Sequence, residues 1–311
     1  MEGVMMAGRT VNVTAVRRKN NEIEFFEVPR KEIRWVSRLK KIPFVRGIVA
    51  IVESSAKGAQ HLNFSAEKYA EDESGEEAEP STDSPKKGGL GGLSMVLGVA
   101  VVGVLSFLFG KFVFTLVPAA IEQLLFQNMF KNLILHNLLE GVIKIVLLLG
   151  YIYFISLTPL IKRLFQYHGA EHKVISAYEA GKELTVENVQ KFNTLHYRCG
   201  SSFIVFTVIV GVVVYSFFKY DTLWDRLLIR IALLPLVIGV SYEVLRLTNS
   251  VRETPVLRFL GYPGLWLQKL TTKEPDDSQV EVSIASFKRM LELDNELLND
   301  RGAAKSGQAV S

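Results

Sequence analysis

The chain has 311 residues, 49% of them hydrophobic and 22% charged, with a formal net charge of +4 and a mean hydropathy of +0.22. Apolar residues gathered in blocks between long polar stretches exclude an ordinary soluble domain and a wholly disordered chain. One cysteine excludes a disulfide within the chain, and the basic surplus, lying beside the apolar blocks, reads as a membrane-orientation signal rather than a nucleic-acid surface.

Residues 1–30 have no apolar signal-peptide core, so the first membrane span is expected to double as the targeting signal. Val11, Val13 and Ala15 alternate with polar neighbours, and residues 23–28 are apolar and aromatic. With Lys19-Asn20-Asn21-Glu22 between them, these two runs predict a cytoplasmic β-hairpin, a small cytoplasmic sheet being the extension of that reading. Residues 31–64 mix Trp35, Leu39, Ile42 and Phe44 with basic residues and predict an amphipathic helical region on the membrane surface, a shallow membrane-embedded hairpin at Pro43 being the alternative. Residues 65–92 become acidic and then rich in Ser, Pro and Gly, which predicts a disordered linker; the glycines there lack the setting of a phosphate-binding loop.

Residues 93–250 form the predicted transmembrane domain. Residues 93–118, interrupted only by Lys111, and 141–160, interrupted only by Lys144, are long enough to cross a bilayer. Between the second span and the third, at 202–218, lies the cytoplasmic segment 161–200. The fourth span, 227–245, contains Arg230, Pro235 and Glu243. Lys and Arg are dense at 30–46 and 161–198 and sparse at 119–140 and 219–226, so four spans with both termini cytoplasmic satisfy the charge pattern.

The segment 161–200 holds the chemistry. His168-Gly169-Ala170-Glu171-His172 is an H-x-x-E-H cluster, and on a helix His168 and His172 share one face. In inverted zinc peptidases this order supplies two metal ligands and a general base that deprotonates a metal-bound water. His196 and Cys199 follow in the same segment, so three of the five histidines and the only cysteine lie between 168 and 199. The plainer alternatives are interfacial capping histidines bonded to Glu171, a surface imidazole at His196 and a small buried thiol at Cys199. Glu243 reads either as a distant acidic ligand or as an ion pair with Arg246 or Arg252. After it, residues 251–298 predict a cytoplasmic interfacial and helical region, with Val282, Ile284, Phe287, Met290 and Leu291 at helical spacing, and 299–311 a disordered tail.

Several runs carry a resemblance that covers nearly the whole chain: Met1-Glu2-Gly3-Val4-Met5-Met6, Pro43-Phe44-Val45-Arg46-Gly47, His168-Gly169-Ala170-Glu171-His172-Lys173, Leu195-His196-Tyr197-Arg198-Cys199-Gly200, Ser241-Tyr242-Glu243, Pro263-Gly264-Leu265-Trp266-Leu267-Gln268 and Leu270-Thr271-Thr272-Lys273-Glu274-Pro275. Together they resemble the YqhQ-like bacterial membrane family, which is described as predicted metal-dependent enzymes. The resemblance implies a metal at the matching His, Glu and Cys positions and a place in the bacterial cytoplasmic membrane. It names no substrate. Where the family pattern has Arg after Met5-Met6, this chain has Ala7.

The sequence thus predicts a mainly α, polytopic membrane protein with about four transmembrane helices, a small N-terminal β-hairpin and amphipathic interfacial helices. Its expected partner is the lipid bilayer, with no nucleic acid; protein partners and self-association stay open. One functional expectation is a zinc-dependent, hydrolase-like enzyme at the cytoplasmic face: His168 and His172 bind Zn²⁺, His196, Cys199 or Glu243 completes the ligand set, and Glu171 activates water. The other is a non-catalytic scaffold or transport accessory whose His168, His172, His196 and Cys199 close a structural zinc site.

Overall fold

The computed structural model describes residues 3–30, 33–74, 105, 109–110, 113–126, 128–129, 132–219 and 222–308. The protein is mainly helical with an N-terminal antiparallel sheet. It divides into two compact units, one of residues 1–75, 151–206 and 238–311 and the other of 76–150 and 207–237.

In the first unit the predicted hairpin is present as β2 (Val11–Arg17) and β3 (Ile23–Pro29), and Asn21 takes the left-handed conformation (φ 67°) that Asn tolerates in a turn. The hairpin is corrected to a three-stranded sheet, because β1 (Gly3–Ala7) pairs antiparallel with β2 and leaves β2 central. The burial pattern explains the extra strand: Val4 and Met6 alternate inward beside Val11, Val13 and Ala15. The face carrying Val11, Val13 and Ala15 joins a hydrophobic core with Tyr167, Ala170, Val174 and Ala177 of α5 (Pro159–Glu179), Val189 of α6 (Val186–Gln190), and Val280, Val282, Ile284, Phe287 and Met290 of α11 (Asp277–Gln308). From the other face of the sheet, Thr14 Oγ1 meets His61 Nδ1 at 2.6 Å and Phe26 stacks on Phe64 at 4.8 Å.

His61 and Phe64 belong to α2 (Val45–Ser74). The amphipathic region 31–64 is therefore two helices, since α1 (Arg34–Leu39) ends before a break at 40–44. Pro43 has no N–H to continue a helix, and Phe44 has φ 68°, a costly conformation for an aromatic residue. The Phe44 N–H donates to Glu243 Oε1 at 3.1 Å, which holds the break in place. Residues 65–74 of the expected linker are the end of α2, where Arg18 bonds Asp72 at 2.8 Å; residues 75–92 lie outside the described residues. Residues 299–308 of the expected disordered tail belong to α11.

The four-span expectation is not borne out in full. Among the described residues one helix alone, Ile134–Ser156 within α4 (Leu133–Ser156), is long and apolar enough to cross a membrane, with mean hydropathy 2.1. The first expected span, 93–118, lies mostly outside the described residues, which take up its end at α3 (Val113–Phe126). The third is α7 (Ser202–Tyr215), 14 residues long. The fourth is broken at Leu233 into α8 (Leu223–Ala232) and α9 (Leu234–Ser250), which bend by 52°. Pro235 cannot donate to the Ile231 carbonyl, so the helical ladder stops there and restarts at a new angle.

In the second unit the polar residues pair internally. Glu140 of α4 receives Arg226 and Arg230 of α8, all three buried, with Arg230 Nη2 at 2.7 Å from Oε2. Glu122 of α3 pairs with His136 Nδ1.

Candidate metal centre

The site rests on α5, whose two faces do different work. Tyr167, Ala170, Val174 and Ala177 recur at helical spacing and enter the hydrophobic core. The neighbouring stripe, His168, Glu171, His172, Ile175 and Glu179, lines a cleft of about 370 Å³ with His196, Arg198 and Cys199. A core-packed helix thereby presents a polar row to an open cleft without leaving its register.

His168 Nδ1 lies 2.9 Å from the Thr271 carbonyl, and His172 Nδ1 lies 2.5 Å from the Thr194 carbonyl. A carbonyl only accepts, so both Nδ1 atoms carry a proton and a metal would meet the rings at Nε2. His168 Nε2 stands 3.2 Å from Cys199 Sγ, and one ligand atom from each of His168, His172 and Cys199 lies within 4.8 Å of the others. The imidazoles meet edge to face, centroids 4.4 Å apart. Burial alone would raise the Cys199 thiol, but His172 and the Ser201 hydroxyl at 3.0 Å outweigh it and hold the thiol below its ordinary pKa.

This donor set fits a zinc-type ion. Two imidazoles oriented by backbone carbonyls and a thiol inclined to ionise are the ligands such an ion prefers.

Glu171 shares the cleft but makes no described hydrogen bond with the three candidate ligands. Burial pushes its carboxyl up, against the opposing pull of His168. His196 is adjacent, its ring 5.7 Å from that of His172, but both its nitrogens are engaged. Nδ1 accepts from the Arg198 N–H at 3.3 Å, while Nε2 faces Glu179 at 3.5 Å. Burial and the nearby Arg252 lower its pKa. The polar contacts of Glu243 run instead to Arg46 and the Phe44 N–H. The structure therefore brings together His168, His172 and Cys199, sets Glu171 and His196 around them, and ties Glu243 to the start of α2.

Sequence reasoning passed over two residues. Glu179 binds Arg198, lies 3.9 Å from Arg252 and faces His196, so it organises one wall of the cleft. Its place on the 168, 171, 172, 175 stripe was the available signal. Gln268 of α10 (Tyr262–Thr271) is fully buried, accepts from the His196 N–H at 2.8 Å and donates to the His196 carbonyl at 2.9 Å and to Ser202 Oγ at 2.9 Å. One amide clamps both ends of the peptide that leads into Cys199. Gly264 lets α10 approach, since a Cβ there would stand 2.5 Å from Ser202 Oγ.

A family profile described as "Protein of unknown function (DUF1385)" matches residues 42–293, which include every residue of the cleft. A protein of Bacillus subtilis (strain 168), named "Uncharacterized protein YqhQ", is 56% identical over 294 residues, covering 94% of this chain and 91% of that protein. No solved structure gives a significant match.

Proposed function

The chain belongs to the DUF1385 family, and from that premise and the donor set of its cleft we propose that it is a zinc-dependent, hydrolase-like enzyme of the bacterial cytoplasmic membrane. The observation that supports this most is that His168, His172 and Cys199 each bring a ligand atom inside 4.8 Å of the others, with both Nδ1 atoms held by the Thr271 and Thr194 carbonyls, beside a cleft lined by Glu171. Three protein ligands beside an open cleft are the pattern of a catalytic zinc.

When bound, zinc supplies Lewis acidity and lowers the pKa of a water at its open position. The chain does the rest. Thr271 and Thr194 hold the two imidazoles in the donor tautomer, and Gln268 fixes the backbone that delivers Cys199. Glu171 takes the proton from the attacking water and returns it to the leaving group; its raised pKa matches that two-way role. Arg198, paired with Glu179 on the cleft wall, offers a guanidinium to a polar group of the substrate.

The membrane reading draws on the apolar helix Ile134–Ser156, of which 17% is buried, and on the charge asymmetry of the flanking segments. Four spans, with α8 and α9 as one bent pair, put both termini and the cleft on the cytoplasmic side. A cysteine introduced at Lys182 should resist labelling from outside intact cells, and one at Asn128 should accept it.

A scaffold with a closed His₃Cys zinc site is the second reading, favoured by the 5.7 Å between the His172 and His196 rings. It requires His196 to leave Glu179. Glu171→Gln separates the two, because an amide cannot accept the proton but leaves the ligand set intact. The enzyme reading expects this variant to keep its metal and fail to complement a deletion strain at equal membrane abundance. Full complementation would overturn it.

A further inference from the structure

A second cavity lies within the first unit, away from the metal cleft. About 350 Å³ in volume, it is lined by Arg30, Lys40, Arg46, Lys57 and Arg246, with Glu53 as the only acid among the described lining residues. Lys40 and Lys57 pair with Glu53, and Arg46 pairs with Glu243. Even with Glu243 counted, five cations face two carboxylates, so an excess of positive charge remains inside a concave wall. The Glu53 carboxyl reports the same field, held down at about 2 by hydrogen bonds from Lys40 and Lys57.

Arg30, Lys40, Glu53 and Lys57 also form the boundary of a larger groove, about 830 Å³, between α1 and α2. That groove is apolar, with Ile33, Trp35 and Val52 exposed along it, and Ile42 and Phe44 are exposed nearby at the break between the helices. A basic pocket opening into an apolar groove on one amphipathic surface matches an amphiphile. Its head is anionic and its tail is hydrocarbon.

We propose that this paired pocket and groove bind one anionic phospholipid taken from the bilayer, for which phosphatidylglycerol is the probe. The phosphate sits among Arg246, Lys57 and Lys40, and an acyl chain lies along Val52 and Trp35. This rests on the membrane reading above but not on the metal.

The test uses the full-length protein in detergent. Native mass spectrometry reads lipid retention after challenge with phosphatidylglycerol or phosphatidylcholine of identical acyl chains, and metal content is measured on the same samples. One phosphatidylglycerol should be retained preferentially. Arg246→Gln with Lys57→Gln should weaken that preference by on the order of tenfold, two cations being removed. Val52→Asp should reduce retention of both lipids. Metal content should not change in either variant, which separates this site from the cleft. Equal retention of the two lipids, or a preference untouched by the double variant, would overturn the proposal. So would displacement of the lipid by glycerol 3-phosphate at equal concentration, which would make the site one for a soluble phosphate compound. Release of the protein from membranes by alkaline carbonate without detergent would instead defeat the membrane reading beneath it.

Discussion

Gly169 faces the Lys273 carbonyl oxygen so closely that a Cβ at that position would stand 2.2 Å from it. The segment after α10 crosses α5 at this point, and the Lys273 N–H donates to the Phe165 carbonyl at 2.9 Å. The same crossing brings the Thr271 carbonyl to His168 Nδ1. Space at Gly169 is thus a condition for the tautomer of the neighbouring histidine. Gly169→Ala should push the two segments apart and cost about 1–3 kcal/mol, the range for overpacking against an unyielding neighbour. Metal affinity should fall with it. Thermal melting and metal content of the purified variant check both, and unchanged values would mean that the crossing yields freely.

Asp294 ties the middle of α11 to the β1–β2 turn. Its carboxylate accepts from the Arg9 N–H at 2.6 Å, the Thr10 N–H at 2.7 Å, the Thr10 hydroxyl at 2.5 Å and the Val11 N–H at 3.2 Å. Burial works to raise its pKa, but these hydrogen bonds outweigh burial and lower it. A depressed carboxyl contributes stability that is present above the unfolded value, about 3.9, and is lost as pH falls through the folded value. Asp294→Asn should therefore be less stable by roughly 2–3 kcal/mol near neutrality, for the loss of charge-assisted bonds. The gap to wild type should close below pH 4. Denaturant melts across pH 3–7 measure the gap; a constant difference over that range would contradict the ionised clamp.

The candidate ligands and their neighbours should separate in metal content. His168→Ala, His172→Ala and Cys199→Ser each remove a donor from the group inside 4.8 Å and should abolish stoichiometric binding. His196→Gln, whose native ring is engaged by Glu179 and the Arg198 N–H, should keep the metal. Glu243→Gln should also keep it while weakening the junction of α2 and α9, because its contacts run to Arg46 and Phe44. Elemental analysis of folded protein reads all five, and loss of metal in His196→Gln would favour the closed four-ligand site.

How legible the protein was from sequence follows the range of the interactions. The H-x-x-E-H spacing is local, and the helix predicted by it is α5, with His168 and His172 on the cleft. The two strands β2 and β3 were marked by alternation and a turn. What escaped depended on partners far along the chain: Asp294 looks like any acid in a helix until Thr10, 284 positions away, meets it. The strand β1 holds few residues of strong β preference and is fixed by pairing with β2. The fourth apolar run met the length expected of a span, yet Pro235 divides it. Pro43 divides the amphipathic helix in the same way, leaving Phe44 in a conformation that its sequence neighbours do not reveal. Charges inside the apolar blocks were visible as exceptions, but sequence alone did not say that two of the arginines share one glutamate.

That sharing yields the last prediction. Glu140 is buried between Arg226 and Arg230, one helical turn apart on α8, so one carboxylate pairs with both guanidinium groups. Removing it takes that partner from two buried cations, and breaking a buried pair from one side costs about 3–5 kcal/mol. Glu140→Gln keeps the shape and can still accept hydrogen bonds, so the loss it causes reports charge rather than packing. It should lower the thermal stability of the detergent-solubilised protein and its abundance in the membrane. Adding Arg226→Met to Glu140→Gln should recover part of that loss, because one stranded cation is removed; Arg226→Met alone should cost less than Glu140→Gln, because Arg230 keeps its partner at 2.7 Å. A thermal-shift cycle over the four proteins gives the coupling directly. If Glu140→Gln melts like wild type, or the two changes simply add, the carboxylate is not holding α8 against α4 by its charge.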